Sequence, residues 1–286
     1  MRLTLAEALH AAQTQGLDRI EAQRLLLHAL GRGPGERAWL LAHDTDALPD
    51  AAQAQFEELV ARRRQQEPLA YLTGEREFFG LPLQVDARVL DPRADTETLV
   101  EWALQCLPGL GPHPLVLDLG TGSGAIALAL ARHAPEARIQ ALDASADALV
   151  VAQANAHRLG LPVQFRHGHW LRGVSERFDL IVSNPPYIAE GDVHLAALRH
   201  EPLQALTSGP DGLRDLREII DRAPAHLQAG GWLLLEHGHD QAPAVRDLLQ
   251  AAGFEAVQSR RDLPGIERCS GGRYGTARPR ESPIGG

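Results

Sequence analysis

The sequence predicts an α/β chain: a doubly wound, mostly parallel sheet with helices on both faces, preceded by a small all-α domain and joined to it by a β-hairpin. Three observations carry this. From residue 114 onward, short apolar runs alternate with helical stretches. The first of those runs breaks at a glycine-rich turn, Gly120-Thr121-Gly122-Ser123-Gly124, directly ahead of a helical pattern. The first 74 residues, by contrast, show helical periodicity only. With 286 residues, 44% of them hydrophobic, the chain can build one large core and one small one.

In chain order, Asp18 is placed to cap a helix with apolar positions at Ile20, Leu26, Leu27 and Leu30, and Gly31 to end it. Pro49 falls in the first turn of a further helix through Phe56, Leu59 and Val60. Residues 1–74 carry 8 Arg against 10 Asp plus Glu, a mildly acidic helical bundle without a catalytic cluster. Residues 78–90 alternate in strand fashion around a Gly80-Leu81-Pro82 turn, which predicts a β-hairpin within a linker of residues 75–91. The domain over residues 92–276 then runs strand Leu115–Leu119, helix Gly124–His133, strand Arg138–Leu142, helix Asp147–Leu159, strand Val163–Phe165 and strand Phe178–Ser183. A helix over Ile219–Leu227, a strand at Trp232–Glu236, a helix at Pro243–Ala252 and strand-like stretches near Val257 and Tyr274 complete it. Residues 277–286 have the composition of a disordered tail.

Composition narrows the function. The net charge is −9 and the chain contains no lysine, so every cationic side chain but histidine is arginine. An acidic chain is a poor partner for nucleic acid, whose binding rests on phosphate neutralisation, and no direct nucleic-acid substrate is expected. No apolar run approaches the ~20 residues of a membrane span. The first 17 residues are interrupted by Glu7, His10, Gln13 and Gln15 and read as neither signal nor anchor. A soluble, cytoplasmic protein without a membrane partner is expected. Cys106 and Cys269 are far apart in sequence and read as free thiols.

The glycine loop lets the backbone turn tightly and approach a ligand. A nicotinamide dinucleotide site favours G-x-G-x-x-G, and here the third glycine comes one residue early. Asp118, just ahead of the loop, would repel a pyrophosphate but suits the cationic amino group of a methionine moiety. Asp143 ends the second strand, 23 residues after Gly120, where a carboxylate can accept both hydroxyl protons of an adenosine ribose. The plainer role for Asp143 is a helix N-cap, although Ser145 or Asp147 can take that place. Trp170 follows the third strand and offers a flat face to adenine; a partly buried core tryptophan is the structural alternative. These features suit S-adenosylmethionine, with the glycine loop, Asp143 and Trp170 as its candidate partners.

Asn184-Pro185-Pro186-Tyr187 follows the fourth strand, and in an open α/β sheet ligands bind beyond the carboxyl ends of strands. An amide nitrogen is a poor nucleophile because its lone pair is delocalised into the carbonyl. Its protons must be held so that the nitrogen faces a sulfonium methyl in line with the leaving sulfur. The side-chain oxygen of Asn184 and the backbone oxygen of Pro185 supply two acceptors, the prolines stiffen the loop, and Tyr187 offers a ring to stack on the planar group. Asn184, Pro185 and Tyr187 are thus the catalytic candidates, with Pro186 added as a substrate contact. The structural alternative is a proline turn ending a strand.

With these motifs the chain resembles the release factor glutamine methyltransferase family, a Rossmann-like methyltransferase type. The likeness extends over Glu67–Phe78, Leu90–Glu97, Asp118–Ala127, Ser183–Ile188, Glu201-Pro202-Leu203 and Leu234–Gly238. It implies methylation of the glutamine in the Gly-Gly-Gln motif of peptide chain release factors, with the helical domain docking the protein substrate. It also implies that Gly120, Thr121, Gly122, Ser123, Gly124, Asp143, Trp170 and Asn184 hold the cofactor, and that Arg93 and Glu97 line the methionine end, against the alternative of a surface ion pair. Relatives often carry an acid just before the tryptophan; this chain has His169 there. The pairs His167/His169 and His237/His239 lack a third ligand in evidence, and no metal is expected. Two other classes fit the same motifs: an amino-methyltransferase acting on a flipped adenine or cytosine, and a non-catalytic cofactor-binding partner. The acidic chain, with an acidic helical segment, argues against the first and an intact tetrapeptide against the second.

Overall fold

Capping and periodicity build the helical part. In this computed structural model, which describes residues 3–275, α1 (Leu5–Thr14) opens on a capping box between Thr4 and Glu7. Helix α2 (Arg19–Ala29) is capped by Asp18, whose carboxylate accepts the Ile20 N–H at 2.7 Å. Helices α3 (Arg37–Ala42), α4 (Asp50–Arg64) and α5 (Leu69–Thr73) follow, with Pro49 at the cap of α4 rather than inside its first turn. Leu25, Leu26 and Leu27 pack with Leu5, Leu40, Leu48, Phe56, Leu59 and Val60 in a shared core. Ile20, read as a core position, is 49% exposed, because the buried face of α2 turns toward Leu25–Leu27 instead. Residues up to Glu75, together with Ala196–His200, form one compact unit; the rest of the described chain forms the other. Within the first unit, the His200 ring hydrogen-bonds the Gln65 carbonyl at 2.9 Å.

The hairpin segment groups with the second unit from Arg76 onward. Its strands are β1 (Glu75–Phe78) and β2 (Leu81–Gln84), shorter than the alternation over 78–90 implies. The turn is Phe79-Gly80, one step earlier than the Gly-Leu-Pro turn read from sequence, and both residues have positive φ (+50° and +76°). A tight hairpin needs two such residues. Glycine supplies one, and the Glu97 carboxylate holds the Phe79 N–H at 3.0 Å. Pro82 therefore lies in β2 with its side chain outward.

After a short 3-10 turn over Ala94–Thr96 comes α6 (Glu97–Cys106), a helix missing from the sequence reading. The main sheet is built by β3 (Leu115–Leu119), β4 (Arg138–Asp143), β5 (Val163–His167), β6 (Phe178–Ser183), β7 (Leu227–Glu236), β8 (Phe254–Arg261) and β9 (Glu267–Tyr274). Between them run α7 (Ala125–His133), α8 (Ala146–Leu159), α9 (Arg214–His226) and α10 (Ala242–Ala251). The strand order is β5-β4-β3-β6-β7-β9-β8, with the first five parallel and β9 antiparallel to both neighbours. The sheet is thus mostly parallel and doubly wound, as the sequence predicts. Leu117, Leu119, Ile181, Leu233 and Leu235 on one face bury against Leu216, Ile219 and Ile220 of α9 and Val245 and Leu249 of α10. Each such side chain contributes roughly 1.5–3 kcal/mol of hydrophobic stabilisation. No helix among the described residues is long and apolar enough to cross a membrane. The tail expected at 277–286 lies outside the described residues.

Candidate active site

Parallel register decides where the candidate residues meet. Leu119 of β3 stands beside Leu142 of β4 and Ser183 of β6, and Ser183 beside Leu235 of β7. The next residues, Gly120 and Asn184 just past their strands and Asp143 and Glu236 at the ends of theirs, lie along one carboxyl edge. This edge includes the point where the strand order reverses, the usual ligand crevice of such sheets. A cavity of about 330 Å³ lies here, with Gly120, Gly122, Asp143, Trp170, Asn184 and Pro186 in its wall.

The loop conformation requires its glycines: Gly120, Gly122 and Gly124 have φ of +70°, +55° and +86°. The N–H groups of Gly120 and Thr121 both donate to the Leu142 carbonyl, at 2.8 and 3.0 Å, which folds the loop toward β4. A Cβ at Gly120 would stand 3.2 Å from the Trp170 ring, so the missing side chain lets the indole close on the loop. Thr121, Ser123 and Gly124 act from behind the wall. The Thr121 hydroxyl donates to Asp118 at 2.6 Å, and the Ser123 carbonyl accepts from Asn155 at 3.0 Å. Gly124 leads into α7 against Leu128 and Ala152. Asn155 also exchanges two hydrogen bonds with the Gln84 backbone, which ties β2 to the loop.

Asp118 is fully buried and sealed beneath the loop, where it braces Thr121. Desolvation pushes its pKa up to about 7, against the pull of the Thr121 hydroxyl. It lies outside the cavity wall, and its Oδ1 has no hydrogen-bond partner among the described residues. Asp143 is differently placed. Its two oxygens accept the N–H of Gly122 and of Ser145, each at 2.8 Å. Burial raises its pKa, and these donors work against that rise. Ser145 caps α8 by accepting the Ala148 N–H at 3.1 Å, so Asp143 is not the helix cap. The Ala144 N–H is a third backbone donor to this carboxylate, and Asp143 lies in the cavity wall.

Trp170 takes the left-handed backbone region (φ +47°) and is 8% exposed. Its indole N–H donates to buried Asp215 at 3.2 Å, and Asp215 in turn accepts from the Ser208 hydroxyl at 2.7 Å and the Arg214 guanidinium at 3.2 Å. This network fixes the indole edge. His169 shares the cavity wall, with Nδ1 4.0 Å from a Glu218 oxygen.

In the tetrapeptide, the Asn184 amide nitrogen donates to the Thr96 hydroxyl at 3.1 Å, which leaves Oδ1 as its remaining polar atom. Pro185 is buried and Pro186 is in the wall. Tyr187 packs against the core, and its hydroxyl donates to Glu236 at 3.4 Å. Burial and the adjacent Glu236 carboxyl raise the Tyr187 pKa. The Tyr187 carbonyl accepts from Gln241 at 3.0 Å, and a Cβ at Gly212 would lie 2.2 Å from that carbonyl oxygen. The turn carrying Gly212 is thus pressed directly onto the tetrapeptide.

Asp215 and Gln241 escape a reading of the sequence, while Thr96 and Glu236 fall within the likeness stretches Leu90–Glu97 and Leu234–Gly238 without a role assigned to either. Arg93 pairs with buried Glu201 and with Asp91, and Glu97 braces the hairpin, so both have internal partners. The His167 ring bonds the Ala144 carbonyl at 3.0 Å, and the His237 ring bonds the Ser270 hydroxyl at 2.8 Å.

Comparison with known proteins agrees across both parts of the chain. Residues 3–74 match the family described as PrmC N-terminal domain, and residues 99–209 match the Methyltransferase small domain. A release factor glutamine methyltransferase of Bordetella pertussis is 54% identical over 261 residues, covering 90% of this chain and 95% of that protein. Its namesake from Escherichia coli is 44% identical over 275 residues, 94% of this chain and 97% of that one. A solved methyltransferase from Pyrococcus furiosus superposes with a TM-score of 0.52 at 20% identity, over 69% of this chain and 90% of that one, and shares the fold.

Proposed function

The chain belongs to the family of release factor glutamine methyltransferases, and we propose that its carboxyl-edge cavity brings S-adenosylmethionine against the glutamine side chain of a peptide chain release factor. The single observation that carries this reading is the state of Asn184. Its amide nitrogen is tied back to Thr96 while the residue sits in the cavity wall, which leaves an oxygen for a substrate N–H.

The cavity's chemistry fits the donor. A glycine loop that approaches closely, a carboxylate in the wall and an indole face suit a nucleoside with a diol. Asp143 takes the ribose hydroxyls, Trp170 borders the adenine, and Gly120 and Gly122 let the backbone pass close by. Bound S-adenosylmethionine supplies a methyl group made electrophilic by a sulfonium. Asn184 Oδ1 and the Pro185 carbonyl accept the two N–H groups of the glutamine amide and aim its nitrogen. Those hydrogen bonds strengthen as positive charge grows on the nitrogen, which lowers the barrier. Pro185 is buried and Tyr187 is anchored at both its hydroxyl and its carbonyl, so the acceptors are held in advance of binding.

None of the cavity's wall residues comes from the helical unit. In this reading that unit docks the release factor, and the enzyme works in the cytoplasm beside the translation machinery.

The test is direct. The protein is incubated with methyl-labelled donor and a release factor, and the methyl is located by mass spectrometry. Label on the glutamine of Gly-Gly-Gln is the expected result. Label on RNA or DNA in a parallel incubation, with the factor unmodified, overturns the reading in favour of an exocyclic amine.

A further inference from the structure

An asparagine side chain has nearly the same shape in either flip of its amide, and only its hydrogen-bond partners decide which end faces a site. For Asn184 the partner is Thr96, on the 3-10 turn ahead of α6 and 88 positions upstream. Thr96 is 4% exposed and is not in the cavity wall. Glu236, buried to 1% exposure at the end of β7, lies within hydrogen-bonding reach of the Thr96 hydroxyl. One Glu236 oxygen receives the Tyr187 hydroxyl at 3.4 Å; the other, Oε2, has no hydrogen-bond partner among the described residues.

We propose that Thr96 is a positioning residue for methyl transfer, which turns its hydroxyl proton toward Glu236 and so locks the Asn184 amide with its oxygen facing the substrate. The inference rests on the role given to Asn184 above. A hydroxyl carries one proton and two lone pairs. With its proton directed at an orphaned buried carboxyl, Thr96 offers Asn184 lone pairs only. The amino end of Asn184 fits that partner, whereas the flipped amide would set two acceptors face to face. Burial drives the Glu236 pKa up to about 7, and the Thr96 hydroxyl works against that rise. Glu236 thereby serves both ends of the tetrapeptide, Asn184 through Thr96 and Tyr187 directly.

Thr96→Val and Thr96→Ser in the full-length chain test this, with kcat, KM for the release factor, donor Kd and melting temperature measured for each. Thr96→Val removes the hydroxyl at almost constant shape. The expected loss is on the order of 10²-fold in kcat, the cost of a misaimed substrate group. The donor Kd should stay within about threefold of the parent value. Thr96→Ser keeps the hydroxyl and should restore kcat to within about fivefold. A Val variant with parental kcat overturns the inference. So does a loss confined to KM or donor affinity, or a Ser variant as impaired as the Val one, since the methyl's packing would then be what matters. If Thr96→Val does not fold, Thr96→Ala replaces it and the Ser variant still decides. A parent enzyme that leaves the glutamine unmethylated sinks the functional reading instead, which keeps the two failures apart.

Discussion

Replacing Asp143 by asparagine removes the charge at the end of β4 and keeps the side chain's size. A carboxylate offers about four lone-pair sites. The N–H groups of Gly122 and Ser145 take two, each at 2.8 Å, and the Ala144 N–H takes a third, which leaves about one for a ribose hydroxyl. Asparagine has one oxygen, and its amino end would face one of those backbone donors. At least one hydrogen bond to the donor's ribose is lost, and one end of the loop is released. A hydrogen bond to a charged group contributes about 1.5–3 kcal/mol, so the donor Kd should rise roughly 10- to 150-fold. The displaced backbone N–H should also lower stability by about 1–3 kcal/mol. Titration calorimetry with S-adenosylmethionine, paired with thermal unfolding, separates the two effects. A Kd within about threefold of the parent value, alongside a lowered melting temperature, would refute the reasoning and reduce Asp143 to a brace of the glycine loop.

Asn184→Ala should lower kcat on a release factor by about 10²–10³-fold, the scale for one pre-organised transition-state hydrogen bond, with little change in donor Kd. Near-normal turnover in a methylation assay contradicts the role of the tetrapeptide. Asp215→Ala frees the Trp170 indole N–H from its 3.2 Å bond, and donor affinity should weaken about tenfold; calorimetry that finds it unchanged removes Asp215 from the support of the adenine face. Asp118→Asn tests the buried carboxyl beneath the loop. Its folded pKa, about 7, is raised above its unfolded value, so the stability tied to it is fully present below about pH 4 and is lost as pH rises through 7. The asparagine variant should therefore gain on the parent across that range, by up to roughly 4 kcal/mol at pH 8. Chemical unfolding at pH 5 and pH 8 that shows no widening gap between them counts against this.

What the sequence determined by itself is what short stretches of chain encode. Three glycines within five residues can satisfy a run of positive φ whatever surrounds them, so the loop is readable as Gly120–Gly124. Asp18 caps α2 through an atom two residues away, and alternating strands and helices announce a parallel sheet. Asn184 and Asp143 are legible because each directly follows or ends an apolar strand, and strand ends converge in this architecture.

The partners of those residues are another matter. Thr96 meets Asn184 across 88 positions and Asp215 meets Trp170 across 45, through connections whose lengths carry no record of the meeting. The hairpin turn sits at Phe79-Gly80 because Glu97, far along the chain, holds the Phe79 N–H. The face of α2 that buries, and hence the exposure of Ile20, depends on which helices flank it. Side-chain hydrogen bonds of this kind depend on register and packing to within a few tenths of an ångström. Only the assembled sheet brings Leu119, Leu142, Ser183 and Leu235 into line, and with them the loop, the carboxylates and the amide that make the site.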